Sequence, residues 1–564
     1  MVRKHYKMKC DTEKMSIYEE CNKKFIKKKG GRDFMLQNEI CFDPRIGDME
    51  QLGTNPRTLT TTLAERGLNV KDFGAKGDGV TDDSEAFEQA LAIGVPLFVP
   101  FGEYIITKTL FPKNSIIGVG LPRIFRINND GTFNGRLFWL KSYQGNNIQI
   151  SGLHLKSDWN GTNTEREHGH AITLGGCQNV TIENCVIDGF YGDGICIARG
   201  GDTHQGTPYY SENIKVINNK IRNCYRGCVT LISVDKVYIE KNSLSKNIAY
   251  QAIIACESNT SLVERISNVF IENNQATGPD NFCRMYQANG AASTRYKNIH
   301  LLKNNVKARR LFAATGSTIG IGNISDIYIQ DNHFEVHEKA ELPTHFCDIY
   351  NHCKENVYII NNVSNGGGLI VRDINHVQIA NNSIVNANIT NFRCNYMNFE
   401  GNEIKNGGSY TSDGAFQNFG AANIQGPFII NNKFVNCTRG IGLKNHKINY
   451  AVFRDNHFDC SEIAIDLGLT SAVTDSNIHL YNNNFVNTPT KIRNNQRLKY
   501  ITENLSQTVA RKPFTFSNTT PSSGSWHRGE IVFNVNPSAL GHIGWVCIES
   551  GSPGKWRGFG LIAE

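Results

Sequence analysis

One short pattern recurs through the centre of the chain, a run of alternating apolar and polar residues that closes at an asparagine. It reads "VTIENC", "IKVINN", "VYIEKN", "VFIENN", "IHLLKNN", "IYIQDN", "VYIINN", "VQIANN", "MNFEGN", "FIINN", "VFRDN" and "IHLYNNN". An alternation with a period of two predicts a strand with one buried face. The closing asparagines include Asn219, Asn242, Asn274, Asn305, Asn332, Asn362, Asn382, Asn402, Asn432 and Asn456, and they lie 20 to 32 residues apart.

This spacing restricts the fold to a solenoid. Two or three short strands per repeat, without a helical pattern, describe one coil of a parallel β-helix, whose coils stack about 4.8 Å apart. Asparagine tolerates the left-handed backbone of a tight bend, and stacked side-chain amides can hydrogen-bond from coil to coil. A leucine-rich repeat also carries asparagine in this pattern, but it needs leucine-rich scaffolding and a helical segment. The pattern favours an all-β parallel β-helix.

Charge is concentrated at the amino terminus. Residues 1–32 carry eleven Lys and Arg against four Asp and Glu, and the rest of the chain balances at 48 against 48. Residues 1–50 are therefore predicted to form a basic, poorly ordered leader, with a nucleic-acid or membrane arm as the alternative. The balanced remainder predicts no nucleic-acid partner. Without an 18-residue apolar run or a signal-peptide core, neither membrane insertion nor standard secretory export is expected.

Sixteen cysteines in a chain without a secretion signal indicate reduced thiols. No Cys-x-x-Cys pair occurs, which argues against a zinc site, and several cysteines lie in apolar strand patterns such as "GICIA" and "CVTLI". We expect buried structural thiols and no bound metal or cofactor.

The stretch "NVKDFGAKGDGVTDDSEAFEQAL", from Asn69, resembles a ligand-binding loop at first sight. It lacks the ligand spacing of an EF-hand and the Gly-Lys-Ser/Thr of a phosphate loop. A glycine turn followed by a helix fits better, with Asp82 or Asp83 as cap and Phe87, Ala90 and Leu91 on one apolar face. Such a helix would cover the exposed end of a β-helix.

Together with the following "VPLFVPFGEYIITKTL", this stretch closely resembles the opening segment of right-handed β-helices of the pectate-lyase superfamily, notably bacteriophage tailspikes that depolymerise capsular polysaccharide. The resemblance covers about residues 50 to 505. It implies an opening segment with a capping helix over residues 51–110, a right-handed parallel β-helix over 111–505 and a small carboxy-terminal β domain over 506–564. It also implies a homotrimer on a virion tail, made in the host cytoplasm and attached to a tail or baseplate protein.

Catalysis on a β-helix must lie on outer faces and inserted loops, because aliphatic side chains fill the interior. The segments "ARGGDTHQGTPYYSEN", "CESNTSLVERISN", "QANGAASTRYKN" and "TGSTIGIGN" follow corresponding strands of neighbouring coils. Stacking places them on one side as a wall beside a groove for an extended sugar chain, although tolerated insertions remain an alternative.

Hydrolysis of a glycosidic bond requires two carboxyl groups. Glu257, in "AIIACESN", is predicted to point outward at the end of a strand beside the groove. Capsule-degrading spikes often carry aliphatic–Asp–aliphatic–Glu–Pro at such a strand, and this chain has Ala255 in place of the aspartate. The second carboxyl must come from elsewhere. Asp202 is the favoured partner and Asp193 the strained one, and Asp280, Asp348 and Asp373 remain open on later coils.

Several further side chains suit a sugar ligand. His204 could assist proton transfer, Arg199 and Arg284 could bind acidic sugars, and Tyr286 could stack on a sugar ring. A lyase would use an arginine or lysine as base, usually beside calcium, but the sequence has no dense aspartate cluster of that kind. Hydrolysis is favoured over lysis.

The sequence thus predicts a phage or prophage tailspike that binds and depolymerises a bacterial capsular or surface polysaccharide. Two alternative functions remain. One is a glycan-binding adhesin that does not cleave its ligand, which the absence of an aspartate at Ala255 favours. The other is a polysaccharide epimerase. Near the carboxy terminus, Trp526, Trp545 and Trp556 are expected to form the core of the small β domain or a trimer seam rather than a sugar site.

Overall fold

The computed structural model describes residues 67–564 except 129–134, 142–145, 162–167, 201–209, 259–263, 288–294, 315–323, 342–344, 350–352, 409–413, 420–423, 445–447, 468–477, 494–499, 502–514 and 527. The predicted leader, residues 1–50, lies outside them. The described chain is a right-handed parallel β-helix in which most coils contribute three strands. Each strand pairs in parallel with its equivalent in the next coil, which produces three ladders.

The strands have the following bounds. The first ladder contains β1 (Leu68–Asn69), β3 (Leu97–Pro100), β5 (Ile116–Val119), β8 (Gln149–Ser151), β11 (Gln178–Glu183), β14 (Ser211–Ile217), β17 (Val234–Glu240), β20 (Arg265–Glu272), β23 (Arg295–Leu302), β26 (Ile324–Gln330), β29 (Cys353–Ile360), β32 (Val377–Ala380), β35 (Met397–Glu400), β38 (Ile424–Ile430), β40 (Ile448–Arg454), β42 (Ile478–Tyr481) and β45 (Tyr500–Ile501). The second ladder contains β2 (Asp78–Asp82), β4 (Glu103–Ile106), β6 (Arg123–Arg126), β9 (His154–Ser157), β12 (Val186–Asp188), β15 (Lys220–Arg222), β18 (Ser243–Ser245), β21 (Gln275–Thr277), β24 (Asn305–Ala308), β27 (His333–Val336), β30 (Val363–Asn365), β33 (Ser383–Val385), β36 (Glu403–Lys405), β39 (Lys433–Lys444), β41 (His457–Asp466) and β43 (Asn484–Val486). The third ladder contains β7 (Phe138–Lys141), β10 (Ile172–Gly175), β13 (Ile195–Ala198), β16 (Val229–Leu231), β19 (Ile254–Ser258), β22 (Asn281–Gln287), β25 (Arg310–Ala314), β28 (His345–Ile349), β31 (Gly368–Arg372), β34 (Ile389–Phe392), β37 (Phe416–Phe419), the later residues of β39 and β41, and β44 (Thr490–Arg493).

The predicted asparagine ladder is present, with one change of register. Between the first and second ladders, each asparagine amide donates to the side-chain oxygen of the asparagine one coil further on, at 2.9–3.1 Å from Asn219 to Asn483. The member in "KNN" is the buried Asn304, so the expectation of Asn305 is wrong. Asn305 is exposed and opens β24.

The left-handed bend also lies one residue earlier than expected. The residue before each ladder asparagine has the positive φ, as at Lys303 (55°), Asn273 (54°) and Gly401 (66°). The side-chain amide of the ladder asparagine points inward. It hydrogen-bonds to a backbone carbonyl oxygen as well as to the side chain of the next asparagine, as at Asn304. Because these buried side-chain amides are hydrogen-bonded, asparagine is favoured at this position of the corner.

The opening segment contains the predicted helix, but more of it is extended. A 3₁₀ turn, Val70–Phe73, precedes β2, which is the terminal strand of the second ladder and pairs with β4. The helix α1 (Ser84–Ala92) follows and buries Phe87 against Tyr104, with ring centroids 5.5 Å apart. Asp83 stands at the N-cap position, yet its carboxylate accepts from the amides of Lys76 and Gly77 instead.

The structure describes the side chains of twelve of the sixteen cysteines, and all twelve are buried. Burial raises the pKa of the Cys185 and Cys228 thiols to about 12, which keeps them protonated and unreactive at neutral pH. The expectation of buried structural thiols is confirmed for these twelve.

We therefore expect at most four of the sixteen thiols to react rapidly with Ellman's reagent in the native protein, and all sixteen in denaturant. More than four fast thiols in the native state would contradict the burial described above.

A separate four-stranded sheet follows, with β46 (Thr515–Ser517), β47 (Ile531–Asn534), β48 (His542–Glu549) and β49 (Lys555–Leu561). Trp526 packs edge-on against Trp556 at 4.9 Å, and both lie on the small core of Val532 and Cys547, as does Trp545. The tryptophans thus form a core, as expected. Among the described residues, no helix is long and apolar enough to cross a membrane.

Candidate functional site

Glu257 lies near the end of β19 in the third ladder, where its backbone pairs in register with Tyr286 of β22. Ile254 and Cys256 alternate with it and are fully buried, so Glu257 projects from the outer face as predicted. It is not a freely solvated side chain, since only 11% of the side chain is exposed. A buried carboxylate needs partners, and the structure supplies two.

The two partners of Glu257 are Arg226 and Gln251. Its Oε2 atom accepts from Arg226 Nη2 at 2.9 Å and from Gln251 Nε2 at 3.0 Å, while Arg226 Nε donates to Gln251 Oε1 at 3.1 Å. The three side chains form a closed network across the outer face. Ala255, at the position where the resembled spikes carry aspartate, pairs with Thr230 of β16 on one side and with Arg284 of β22 on the other.

Next to this network lies a cavity of about 460 Å³. Its wall includes Tyr250, Gln251, Asp280, Arg284, Arg309 and Arg310. Gln251 therefore belongs both to the cavity and to the network that holds Glu257. Three guanidinium groups against one carboxylate give the wall an excess of positive charge, which suits an anionic ligand.

Arg310 is held in place from the next coil. Its Nε atom lies 3.2 Å from Asp348 Oδ2, its Nη1 atom donates to Asn281 Oδ1 at 3.3 Å, and His345 Nδ1 lies 3.4 Å from the same Asp348 oxygen. Asp348 thus holds Arg310 in position from β28. This arrangement fixes one side of the cationic wall before any ligand arrives.

Asp280 is the carboxyl group of the cavity wall. Burial raises the pKa of Asp280 above its ordinary value of 3.8, more than the hydrogen bond from the backbone amide of Asn281 lowers it. A carboxyl with a raised pKa holds its proton to higher pH, which is the property of a general acid in glycoside cleavage.

If Asp280 is the acid, activity should fall as the pH rises through its raised pKa, because the proton to be donated is lost. We expect Asp280→Asn to abolish this alkaline limb of the pH–rate profile along with most of the activity. An unchanged profile in the variant would assign the limb to another group.

Asp193 stands apart from this cavity wall. It is 1% exposed, its Oδ2 atom lies 3.2 Å from His170 Nδ1, and its backbone amide donates to the same nitrogen at 2.9 Å. Despite burial, the hydrogen bond and charge of His170 lower its pKa, assisted by Arg226. The ligand atoms of His170, Asp193 and Cys196 lie within 4.8 Å of one another, a grouping of the kind that can hold a metal ion and one that Cys-x-x-Cys spacing does not reveal. Because all three side chains are buried and Asp193 is already paired with His170, we interpret the group as structural.

The other predicted site residues divide into two sets. Arg284 lines the cavity, whereas Arg199 faces Glu264, with its Nε atom 3.7 Å from Glu264 Oε1. Asp202 and His204 lie outside the described residues, as does the side chain of Tyr286. The roles of these residues remain predictions. The loop wall also remains a prediction, and its long segments follow β13, β19, β22 and β25, which belong to the third ladder.

Sequence reasoning missed Arg226, Tyr250, Gln251, Arg309 and Arg310. All lie in or next to the turns that lead into the third ladder, in "CYRGC", "AYQA" and "KARRLF". The long loops that leave these strands are conspicuous in the sequence, whereas the turns that precede the strands are short. These turns occupy corresponding positions in neighbouring coils.

Comparison with known proteins supports the resemblance. Residues 67–230 match a family model described as "Rhamnogalacturonase A/epimerase, pectate lyase-like". The preneck appendage protein of Bacillus phage PZA is 28% identical over an alignment of 206 residues, and the match covers 28% of this chain and 23% of that protein. The pre-neck appendage protein of Bacillus phage B103 is 44% identical over 61 residues, 10% of this chain and 7% of the relative. The chain thus matches less than a quarter of the length of these relatives.

A solved structure agrees on the fold. The N-terminal fragment of bacteriophage phi29 gene product 12 superposes with a TM-score of 0.52 at 18% identity, over 77% of this chain and 73% of that one. At this identity the likeness establishes architecture alone. The chain is therefore similar to phage appendage proteins in its pectate lyase-like β-helix.

Proposed function

Taking a phage-appendage-like β-helix as the premise, we propose that this protein binds an acidic bacterial capsular or surface polysaccharide on the outer face of the third ladder and hydrolyses it. One observation carries the proposal: the cavity walled by Arg284, Arg309 and Arg310 lies directly beside the network that holds Glu257. Guanidinium groups pair with the carboxylates of acidic sugars, and a nearby carboxylate supplies the chemistry.

In this proposal two carboxyl groups share the work. Asp280, with its raised pKa, donates a proton to the glycosidic oxygen as the bond to the sugar carbon breaks. Glu257, oriented by Arg226 and Gln251, acts on the sugar carbon directly or through a water molecule. Asp280 replaces Asp193 as the candidate partner, because Asp193 is closed off against His170. Asp202 remains a predicted contributor.

The biological setting is part of the same proposal. The pectate lyase-like segment and the similarity to phage preneck appendage proteins support a place on a phage virion tail, where the chain would act as a homotrimer in host recognition. Attachment would be to a tail or baseplate protein.

Two observations support other outcomes on the same scaffold. Three guanidinium groups in one cavity would also suit a lyase, in which the charge of a uronate carboxylate must be neutralised before proton abstraction. The tight ion pair of Glu257 with Arg226 would suit an adhesin that binds without cutting. Hydrolysis remains the first choice because Asp280 lines the cavity and Glu257 is held beside it, which supplies the two carboxyl groups that hydrolysis requires.

The test is product analysis on a panel of purified acidic and neutral bacterial capsular polysaccharides. New reducing ends without absorbance near 235 nm, on an acidic member only, are the expected result. Absorbance at that wavelength would indicate a lyase, and binding without new ends an adhesin. No binding to any member would refute the proposal.

A further inference from the structure

The aromatic ring of Tyr250 stands at the cavity without a role in the chemistry described above. It stacks on Tyr225 with ring centroids 4.4 Å apart and planes 16° from parallel, and Trp159 meets Tyr225 edge-on at 6.0 Å. Tyr225 is 9% exposed, whereas Tyr250 is 44% exposed. One face of Tyr250 is therefore covered by Tyr225, and its exposed area belongs to the opposite face and the ring edge.

The backbone under this ring is fixed by a buried lysine. Lys246 is 2% exposed, and its ammonium donates to the carbonyl oxygens of Tyr250 and Arg226, and to that of Gln251 at 3.2 Å. The clamp ties the turn that carries Tyr250 to the preceding coil. Because Tyr225 covers one face of the ring and Lys246 holds its backbone, Tyr250 loses little conformational freedom when a ligand covers it.

We propose that the open face of Tyr250 is a sugar-binding subsite that stacks on the C–H face of a pyranose ring, one unit along the chain from the acidic sugar held by Arg284, Arg309 and Arg310. The inference rests on the proposed function and adds a second, uncharged contact to it. Sugar rings carry an apolar face of C–H groups, and aromatic rings with a polar hydroxyl suit half-wet sites of this kind. The cavity wall thus combines an apolar platform with a cationic clamp.

The two contacts select different features of one polysaccharide. The guanidinium groups select a carboxylate, while the platform selects a ring whose hydrogens point to one side. A repeat in which an acidic sugar lies next to a pyranose with an open C–H face satisfies both contacts.

The test compares Tyr250→Ala and Tyr250→Phe with Tyr396→Ala. Tyr396 is a matched control, since it is 51% exposed and stacked on another ring, that of His376, at 5.2 Å, but lies outside this cavity. The probe is whichever capsular polysaccharide of the panel above the wild type binds, together with oligosaccharides of one to three repeats, and affinity is measured by titration calorimetry.

We expect Tyr250→Ala to weaken binding about tenfold, the worth of one good aromatic contact, and the other two variants to remain within about twofold of wild type. Wild-type affinity in Tyr250→Ala, while Arg284→Ala still loses binding, would overturn the subsite and leave the proposed function standing. If Tyr250→Ala changes the sedimentation coefficient instead of glycan affinity, the ring belongs to an interface between copies of the chain, which also overturns it. Absence of wild-type binding to the whole panel would remove the proposed function and the subsite together.

Discussion

Replacing Asn304 by alanine is expected to destabilise the β-helix strongly, whereas replacing the adjacent Asn305 is expected to change little. Asn304 Oδ1 accepts from the backbone amide and the side-chain amide of Asn274, both at 3.0 Å, and its own amide donates to Ile271 O and Asn332 Oδ1. Alanine would leave several buried polar groups without partners. At about 1–3 kcal/mol for each orphaned group, we expect a loss of roughly 3 kcal/mol or more in unfolding free energy.

Urea denaturation followed by circular dichroism measures this difference. Asn305→Ala is the matched control, because it removes the same side chain one residue away from an exposed position, where effects stay within about 0.5 kcal/mol. Equal urea midpoints for the two variants would contradict the register of the ladder. A larger loss in Asn305→Ala would restore the register expected from the sequence.

Replacing Glu257 by glutamine is expected to reduce cleavage about a thousandfold, within the range that a catalytic acid or base contributes. The amide keeps the shape of the side chain but can neither take up a proton nor attack a sugar carbon. It also leaves Arg226 without its ion pair, so part of any loss could come from a disturbed site rather than from lost chemistry.

Asp235→Asn controls for that effect. Asp235 also pairs with an arginine, Arg265, at 3.1 Å, and its side chain is 13% exposed against 11% for Glu257. Initial rates of reducing-end formation and urea midpoints are measured on both variants. A thousandfold loss confined to Glu257→Gln supports the assignment. Full activity in that variant, or an equal loss in Asp235→Asn, would remove Glu257 from the mechanism.

The fold could be predicted from the sequence because it depends on periodic patterns. Alternating strands that close at asparagine, at separations of at least 20 residues, leave few structures other than stacked coils. The register was out by one at Asn304 because "KNN" offers two asparagines, and only the inward turn of one side chain distinguishes them. A pattern of residue types does not specify which of two identical neighbours faces the interior.

The site was harder to predict for a different reason. Glu257 could be located because strand alternation decides which side chains face outward. Its partners could not, since Arg226 and Gln251 belong to turns of two different coils and meet Glu257 only through long, flexible side chains. The cavity depends in the same way on Arg310, whose position is decided by Asp348 in the next coil. Such convergence depends on the stacking register of turns, which strand periodicity does not report.

The most direct test of where this protein binds glycan is a crystal structure of the Glu257→Gln variant with an oligosaccharide of the polysaccharide that the wild type cleaves. We expect a sugar chain along the outer face of the third ladder, with an acidic group against Arg284 and Arg309 and a pyranose ring on Tyr250. Ordered sugar elsewhere would contradict it, for example in the cavity of about 210 Å³ beside Tyr358 and Tyr396.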